Sequence, residues 1–394
     1  MKKGFYTLLI SQFLSAVADN ALLFACIALL SKLNAPEWHV PFLKETFVVS
    51  YIVLAPFVGS FADALPKGKV MFISNGIKFA GCILALLGLP PLYAYAIVGL
   101  GAAAYSPAKY GILTEMLPTE QLIKANAWME GTTVTAIILG PVFGSTISAN
   151  NPYFGIAIIT GIYLLAAGFN IYIPKVPLDH KIPQRSLSFL LRDFWHAFTT
   201  LWRDTLGQVS LAVTTLFWGA GATLQFVVLQ WAEEVLHMQQ QAATKLIAIL
   251  AVGIAVGSAG ASLFVKLEDA VKVLPAGILM GFLVIGMIFV ETPEVAAVML
   301  FCIGVLAGYF LVPLNSLLQH RGHTLLGAGH SIAVQNRYKV SFGIVIKSFI
   351  KPIFSFLGSN LLFLFSSFKA INRYFPAFKF SKESIFKLSS ELVM

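Results

Sequence analysis

Few side chains in this sequence could do chemistry, and they stand where ionised groups are costly. Asp19, with Asn20 beside it, interrupts the apolar run Phe5–Leu30; Lys109 and Pro107 sit inside Ala104–Leu113, AYSPAKYGIL, which is otherwise membrane-apolar. A charge at such depth faces a polar cavity or a partner rather than lipid. Asp19 lies roughly 21 Å along its helix, near the bilayer middle, where a carboxylate could hold an ammonium group or a proton. The alternative is a structural pairing with Asn20 or a neighbouring helix. Lys109 could attract a phosphate as a point charge, form a gate salt bridge with Glu115 or Glu130, or snorkel to the interface. Lys78, in the third apolar run, divides between the same two readings, and Gln225, in the seventh, is a polar cavity candidate. The candidate binding set is therefore Asp19, Asn20, Lys78, Lys109 and Gln225. Asp63, Lys67, Lys69, Glu115, Lys124 and Glu130 border the runs and read as gating or structural charges.

Bond-making chemistry has no matching pattern. The sequence holds no HExxH, no GxSxG, no Walker loop and no His followed five positions later by Asp. GLGAAA at Gly99 imitates a dinucleotide fingerprint, with Glu120 at a suitable distance, but its surroundings read as a spanning helix rather than a strand and turn. Small residues there let helices approach closely. Cys26, Cys82 and Cys302 stand singly in apolar spans and give neither a disulfide framework nor a metal-ligand spacing. The expectation is a protein that is not an enzyme and needs no cofactor or metal.

The elements that must position these charges follow from composition. With 58% hydrophobic and 11% charged residues and a mean hydropathy of +0.81, the chain has too little polar surface to cover a soluble globule. Its apolar runs reach the ~20 residues a membrane helix needs, and open strands in lipid would leave backbone groups unpaired. The reading is all-α, with spans near Phe5–Leu30, Phe47–Asp63, Val70–Leu89, Leu92–Gly111, Ala125–Ser148, Phe154–Ile173, Gly207–Trp231, Leu246–Val265, Val273–Val290 and Val295–Leu318, and two more after Gly329. Between the sixth and seventh runs a linker carries Lys175, Lys181, Arg185, Arg192 and Arg203; its stretch SLSFLLRDFWHAFTTLW is amphipathic and suits a membrane surface. Lys2, Lys3, Lys67, Lys69, Lys124, the linker cations, Lys266, Lys272 and Arg321 fall on one side, which predicts cytoplasmic termini. The first run passes signal-peptide length without a small-residue cleavage site and reads as a retained helix.

The chain also repeats itself. GLGAAAYSPAKY at Gly99–Tyr110 answers to GVLAGYFLVPLNS at Gly304–Ser316, about half the chain later, so Pro107 pairs with Pro313 and Lys109 with Asn315. Val70–Gly81 echoes Val271–Gly281, and Lys124–Met129 echoes Gly327–Ala333. Echoes in one order at nearly the same offset predict a duplicated six-helix unit. The domains read as 1–174, a six-helix half; 175–205, a cytoplasmic linker; 206–336, the recognisable part of a second half; and 337–394, an atypical tail rich in Phe, Ser and Lys. That tail carries most of the formal charge of +9, so the basic balance points away from nucleic acid. An altered or frameshifted end is one reading of it, and a basic amphipathic surface segment drawn to anionic headgroups is the other.

Gly59-Ser60-Phe61-Ala62-Asp63, followed by Lys67-Gly68-Lys69, resembles the loop between the second and third helices of the major facilitator superfamily. More specifically, QFLSAVADNALLFA at Gln12–Ala25, NGIKFAG at Asn75–Gly81, AAAYSPAKYGIL at Ala102–Leu113, LFWGAGATL at Leu216–Leu224 and LVPLNSLLQHRG…GAGHSIAVQN at Leu311–Asn336 resemble the bacterial lysophospholipid transporter family, over roughly residues 5–336. Gln225 stands where that resemblance implies a basic residue. The resemblance implies a major facilitator fold of two six-helix halves that rock about a central cavity. It further implies flipping of lysophosphatidylethanolamine and lysophosphatidylglycerol from the outer to the inner leaflet of the bacterial inner membrane. A separate or fused acyltransferase/acyl-carrier-protein synthetase would then be a cytoplasmic partner. Asp19 would meet an ethanolamine ammonium or hold the halves together, and Lys109 would meet the phosphate. Two alternatives stay open: a proton-coupled exporter of drugs or small solutes, and a non-transporting membrane scaffold for an acyltransferase.

Overall fold

Backbone amides in hydrocarbon have no water to bond, so each apolar run closes its hydrogen bonds internally as a helix. The computed structural model describes residues 3–36, 38–174, 187–238, 240–327 and 329–338. The first six helices are α1 (Lys3–Lys32), α2 (His39–Ala64), α3 (Lys67–Leu86), α4 (Pro91–Met116), α5 (Leu122–Ser148) and α6 (Pro152–Ile171). The linker stretch folds as α7 (Leu187–Arg203). Then come α8 (Thr205–Glu234), α9 (Gln240–Phe264), α10 (Leu274–Gly286), α11 (Pro293–Leu325) and a helical segment at 329–338. Eight helices among the described residues are long and apolar enough to cross a membrane. The predicted spans coincide with helices, usually with a turn added at an end. Val273–Val290 differs: the α-helix covers only Leu274–Gly286, with 3-10 turns on either side of it. The linker residues 175–186, the spans expected beyond 338 and the tail lie outside the described residues.

Proline and cap chemistry set several starts. Pro91, Pro152 and Pro293 occupy first-turn positions, where a missing N–H costs nothing. The Asn151 side chain accepts from the Tyr153 amide at 3.1 Å, and Asp204 accepts from the Gly207 amide at 2.8 Å. At 26 residues α4 spans about 39 Å, and it carries tyrosines, Ser106, Pro107 and Lys109 among its apolar residues. It lies in the bundle interior, with Ala102–Tyr105, Pro107 and Ala108 buried.

The echo between Gly99 and Gly304 has a packing reason. A Cβ on Gly99 would clash with the Phe47 backbone and the Ser50 hydroxyl of α2, and one on Gly304 with the Leu250 carbonyl of α9. Gly253, Gly257 and Gly308 continue that second seam, each backbone lying directly on the partner helix. The repeated glycines are thus the contact points of α4 with α2 and of α11 with α9. Gly140 and Gly144 bring α5 onto Val17–Ala21 of α1 in the same way, and so hold the stretch that carries Asp19.

Candidate functional site

α1, α3 and α6 converge on Asp19. Lys78 of α3 places its Nζ 2.8 Å from Asp19 Oδ2, while Tyr163 of α6 donates its hydroxyl to Asp19 Oδ1 at 2.8 Å. The Lys78 ammonium also donates to Ser15 Oγ at 2.9 Å, and that hydroxyl in turn donates a hydrogen bond to Asn75 Oδ1 at 2.8 Å. The rings of Tyr105 and Tyr163 lie 4.8 and 5.6 Å from the ammonium, a cation–π environment that helps a buried lysine stay charged. Exposure divides the pair: the Lys78 side chain is fully buried, whereas Asp19 keeps 22% of its surface open. The cluster thus presents an acid whose counter-ion is hidden behind it.

The other binding candidates are less gathered. Asn20 donates to the Ala16 carbonyl of its own helix at 2.8 Å. The Lys109 ammonium rests 4.6 Å above the Tyr110 ring, while Glu115 pairs with Lys67. Tyr110 donates to Glu130 at 3.1 Å. Gln225 lies on α8, and its side chain is outside the described residues.

The predicted gating residues divide. Asp63, Lys67 and Glu115 come together where α2 and α4 end and α3 begins: Lys67 Nζ is 2.6 Å from Asp63 and 3.0 Å from Glu115. Lys69 and Lys124 are exposed, and Glu130 is buried farther along α5. Asp63 additionally accepts from the amides of Gly329 and His330 at 3.0 and 3.1 Å, so a carboxylate caps the start of the helical segment at 329–338. His330 Nδ1 lies 2.6 Å from Asp63, and its Nε2 lies 2.8 Å from Asp193 of α7 and 3.1 Å from Ser60. With a carboxylate oxygen on each ring nitrogen, both bonds are made only by the imidazolium.

Three further ties at this end join early helices or the linker to late ones. Asn126 of α5 and Gln319 of α11 exchange amide hydrogen bonds at 3.0 and 2.7 Å. Asn336 donates to Ser106 of α4 at 2.9 Å. Arg321 of α11 reaches Asp204 with two nitrogens, the Nε at 2.9 Å. Asp193 and Asp204 both titrate below the usual carboxylate range. The hydrogen bond from His330 is the main cause for Asp193, and the one from Arg321 for Asp204; partial burial opposes each.

Sequence reasoning missed Tyr163, Ser15 and Asn75, which look like ordinary membrane-helix residues, and the His330–Asp193 contact. The one available signal for His330 was its place in GAGHSIAVQN.

Comparison with known proteins agrees with this architecture. Residues 8–336 match the Major Facilitator Superfamily. The lysophospholipid transporter LplT of Serratia proteamaculans (strain 568) is 43% identical over 337 residues, which are 85% of each chain. LplT of Yersinia enterocolitica is also 43% identical, over 85% of this chain and 83% of its own. Among solved structures, the E. coli fucose:proton symporter FucP superposes with a TM-score of 0.71 at 15% identity, over 90% of this chain and 92% of its own. The human organic anion transporter MFSD10 gives 0.66 at 14%, over 88% and 93%. These two share the fold. This multi-pass membrane protein, a transporter rather than an enzyme, belongs to the Major Facilitator Superfamily and, within it, to the family of the LplT proteins.

Proposed function

We propose that this protein carries lysophospholipids, lysophosphatidylethanolamine and lysophosphatidylglycerol, from the outer to the inner leaflet of the bacterial inner membrane. The observation that carries the reading is the Asp19–Lys78 pair, with its acid open and its lysine covered. A zwitterionic headgroup has the same two charges. Its ammonium can take the place of Lys78 on Asp19 while its phosphate takes the released lysine, so neither buried charge is left uncompensated. Lys109, seated over the Tyr110 ring, offers a second phosphate contact nearer the lock formed by Asp63, His330 and Asn126–Gln319. The names of the LplT relatives support the substrate class.

In this reading the lock faces the cytoplasm, because Lys67, Lys69 and Lys124 share its end of the bundle and cations favour that side. Both termini are then cytoplasmic, and an acyltransferase/acyl-carrier-protein synthetase on that side restores the second chain. Reconstitution into liposomes with labelled lysophosphatidylethanolamine tests the proposal. Leaflet exchange should be faster with the protein than without it and should persist when a pH gradient is collapsed. Equal rates with and without protein sink the transport reading, and dependence on the gradient moves it to a proton-coupled carrier.

A further inference from the structure

α7 turns two unlike faces outward and inward. Its inner face buries Phe194, Ala197 and Leu201 in a cluster with Ala55 of α2, Leu211 of α8, Leu318 of α11 and Val334. Its acids also point inward or are engaged: Asp193 on His330, and Asp204, just past its end, on Arg321. The outer face keeps the bases. Arg192, His196 and Arg203 recur at helical spacing and are exposed. Among the described residues neither arginine has a carboxylate partner, and Arg192 touches only the Phe189 ring, at 6.0 Å. Beside that stripe, one position back at the same spacing, run Leu191, Trp195 and Trp202, which are 47%, 60% and 44% exposed.

We infer that this outer face is a docking surface for the anionic phospholipid headgroups of the adjoining leaflet. The indoles would sit at the headgroup level, and the guanidinium groups would lie on lipid phosphates in the bidentate geometry they favour. Charge complementarity selects this occupant: the acids that could have neutralised the stripe are spent on the inner face. The docking does not depend on which solute is carried. Because Asp193 on this helix reaches His330, and Asp204 just past its end reaches Arg321, a lipid-seated α7 also keeps the lock closed from outside the bundle.

The test uses the full chain in nanodiscs of phosphatidylethanolamine alone or mixed with phosphatidylglycerol, read by amide hydrogen exchange along α7. Exchange should be on the order of tenfold slower in the anionic discs. The double variant Arg192→Gln/Arg203→Gln should erase the difference while α3 and α6 exchange as before, and Arg192→Lys/Arg203→Lys should retain most of it. Equal α7 exchange in the two lipids overturns the inference, as does undiminished protection in the glutamine variant. Inorganic phosphate added to the phosphatidylethanolamine discs should leave α7 unprotected. Protection by phosphate alone would replace the lipid surface with a free-anion site.

Discussion

Replacing Asp19 by asparagine keeps the hydrogen bond from Tyr163 and removes the charge that an ammonium would seek. Exchange of lysophosphatidylethanolamine should fall on the order of tenfold to a hundredfold, the worth of one charge-assisted hydrogen bond. Lysophosphatidylglycerol, which has no amine, should lose much less, and equal loss in liposome assays of both lipids would reassign Asp19 to structure. Lys109→Ala should lower transport of both lipids while membrane insertion persists. Since the Lys109 ammonium sits over Tyr110, while Glu115 pairs with Lys67 and Glu130 accepts from Tyr110, adding Glu130→Gln or Glu115→Gln should rescue nothing; recovery in either double variant would place Lys109 in the gate. These residues were legible in the sequence because a charge in an apolar run stands out. Their partners were not. Tyr163 and Ser15 have the composition of any membrane helix, and the His330–Asp193 contact joins residues 137 positions apart, where no local pattern reaches.

At the scale of elements, hydropathy located nearly every described helix, since a bilayer admits few alternatives to a span of that length. It was less able to set their ends: α2 begins at His39, well ahead of the predicted Phe47, because the polar residues Lys44 and Glu45 continue a helix that hydropathy alone would stop. The glycine echoes were visible as repetition, but repetition does not say which helices meet. Gly308→Ala tests the α9–α11 seam. Its Cβ would enter the Ile254 carbonyl, so the helices must part, at a cost of about 1–3 kcal/mol for overpacking. Gly161→Ala, at a position with open space around it, should be neutral or slightly stabilising through helix propensity. Thermal unfolding in detergent should therefore show a lower Tm for the first variant only. Matching Tm values would mean that the seam yields freely.

For the whole molecule, the proposed transport cycle requires the lock to open. A double variant Asn126→Cys/Gln319→Cys, bridged by a short bifunctional thiol reagent, should stop lysophospholipid exchange, and cleaving the bridge should restore it; undiminished exchange in the bridged protein would remove α5–α11 separation from the cycle. Acidification gives a second check. Asp193 and Asp204 titrate below the usual carboxylate range. On the acid side their ties therefore persist below the ordinary carboxylate range and are lost as pH falls through the lowered values. Protection of α7 amides, corrected for intrinsic exchange, should stay level from pH 7 to pH 5 and decline only below about pH 4. The chemistry of the contacts also separates what moves from what holds. Where α4 lies on α2 and α11 on α9, backbone meets backbone at glycine, and neither water nor lipid has anything to offer in exchange. Where α4 and α5 meet α11 and the segment at 329–338, the described hydrogen bonds are amide to amide and amide to hydroxyl, groups that water entering from the aqueous side can satisfy one for one. In the proposed cycle water would thus act as a reagent: each opening would trade the same few bonds for hydration and each closing would return them, while the glycine seams stay packed.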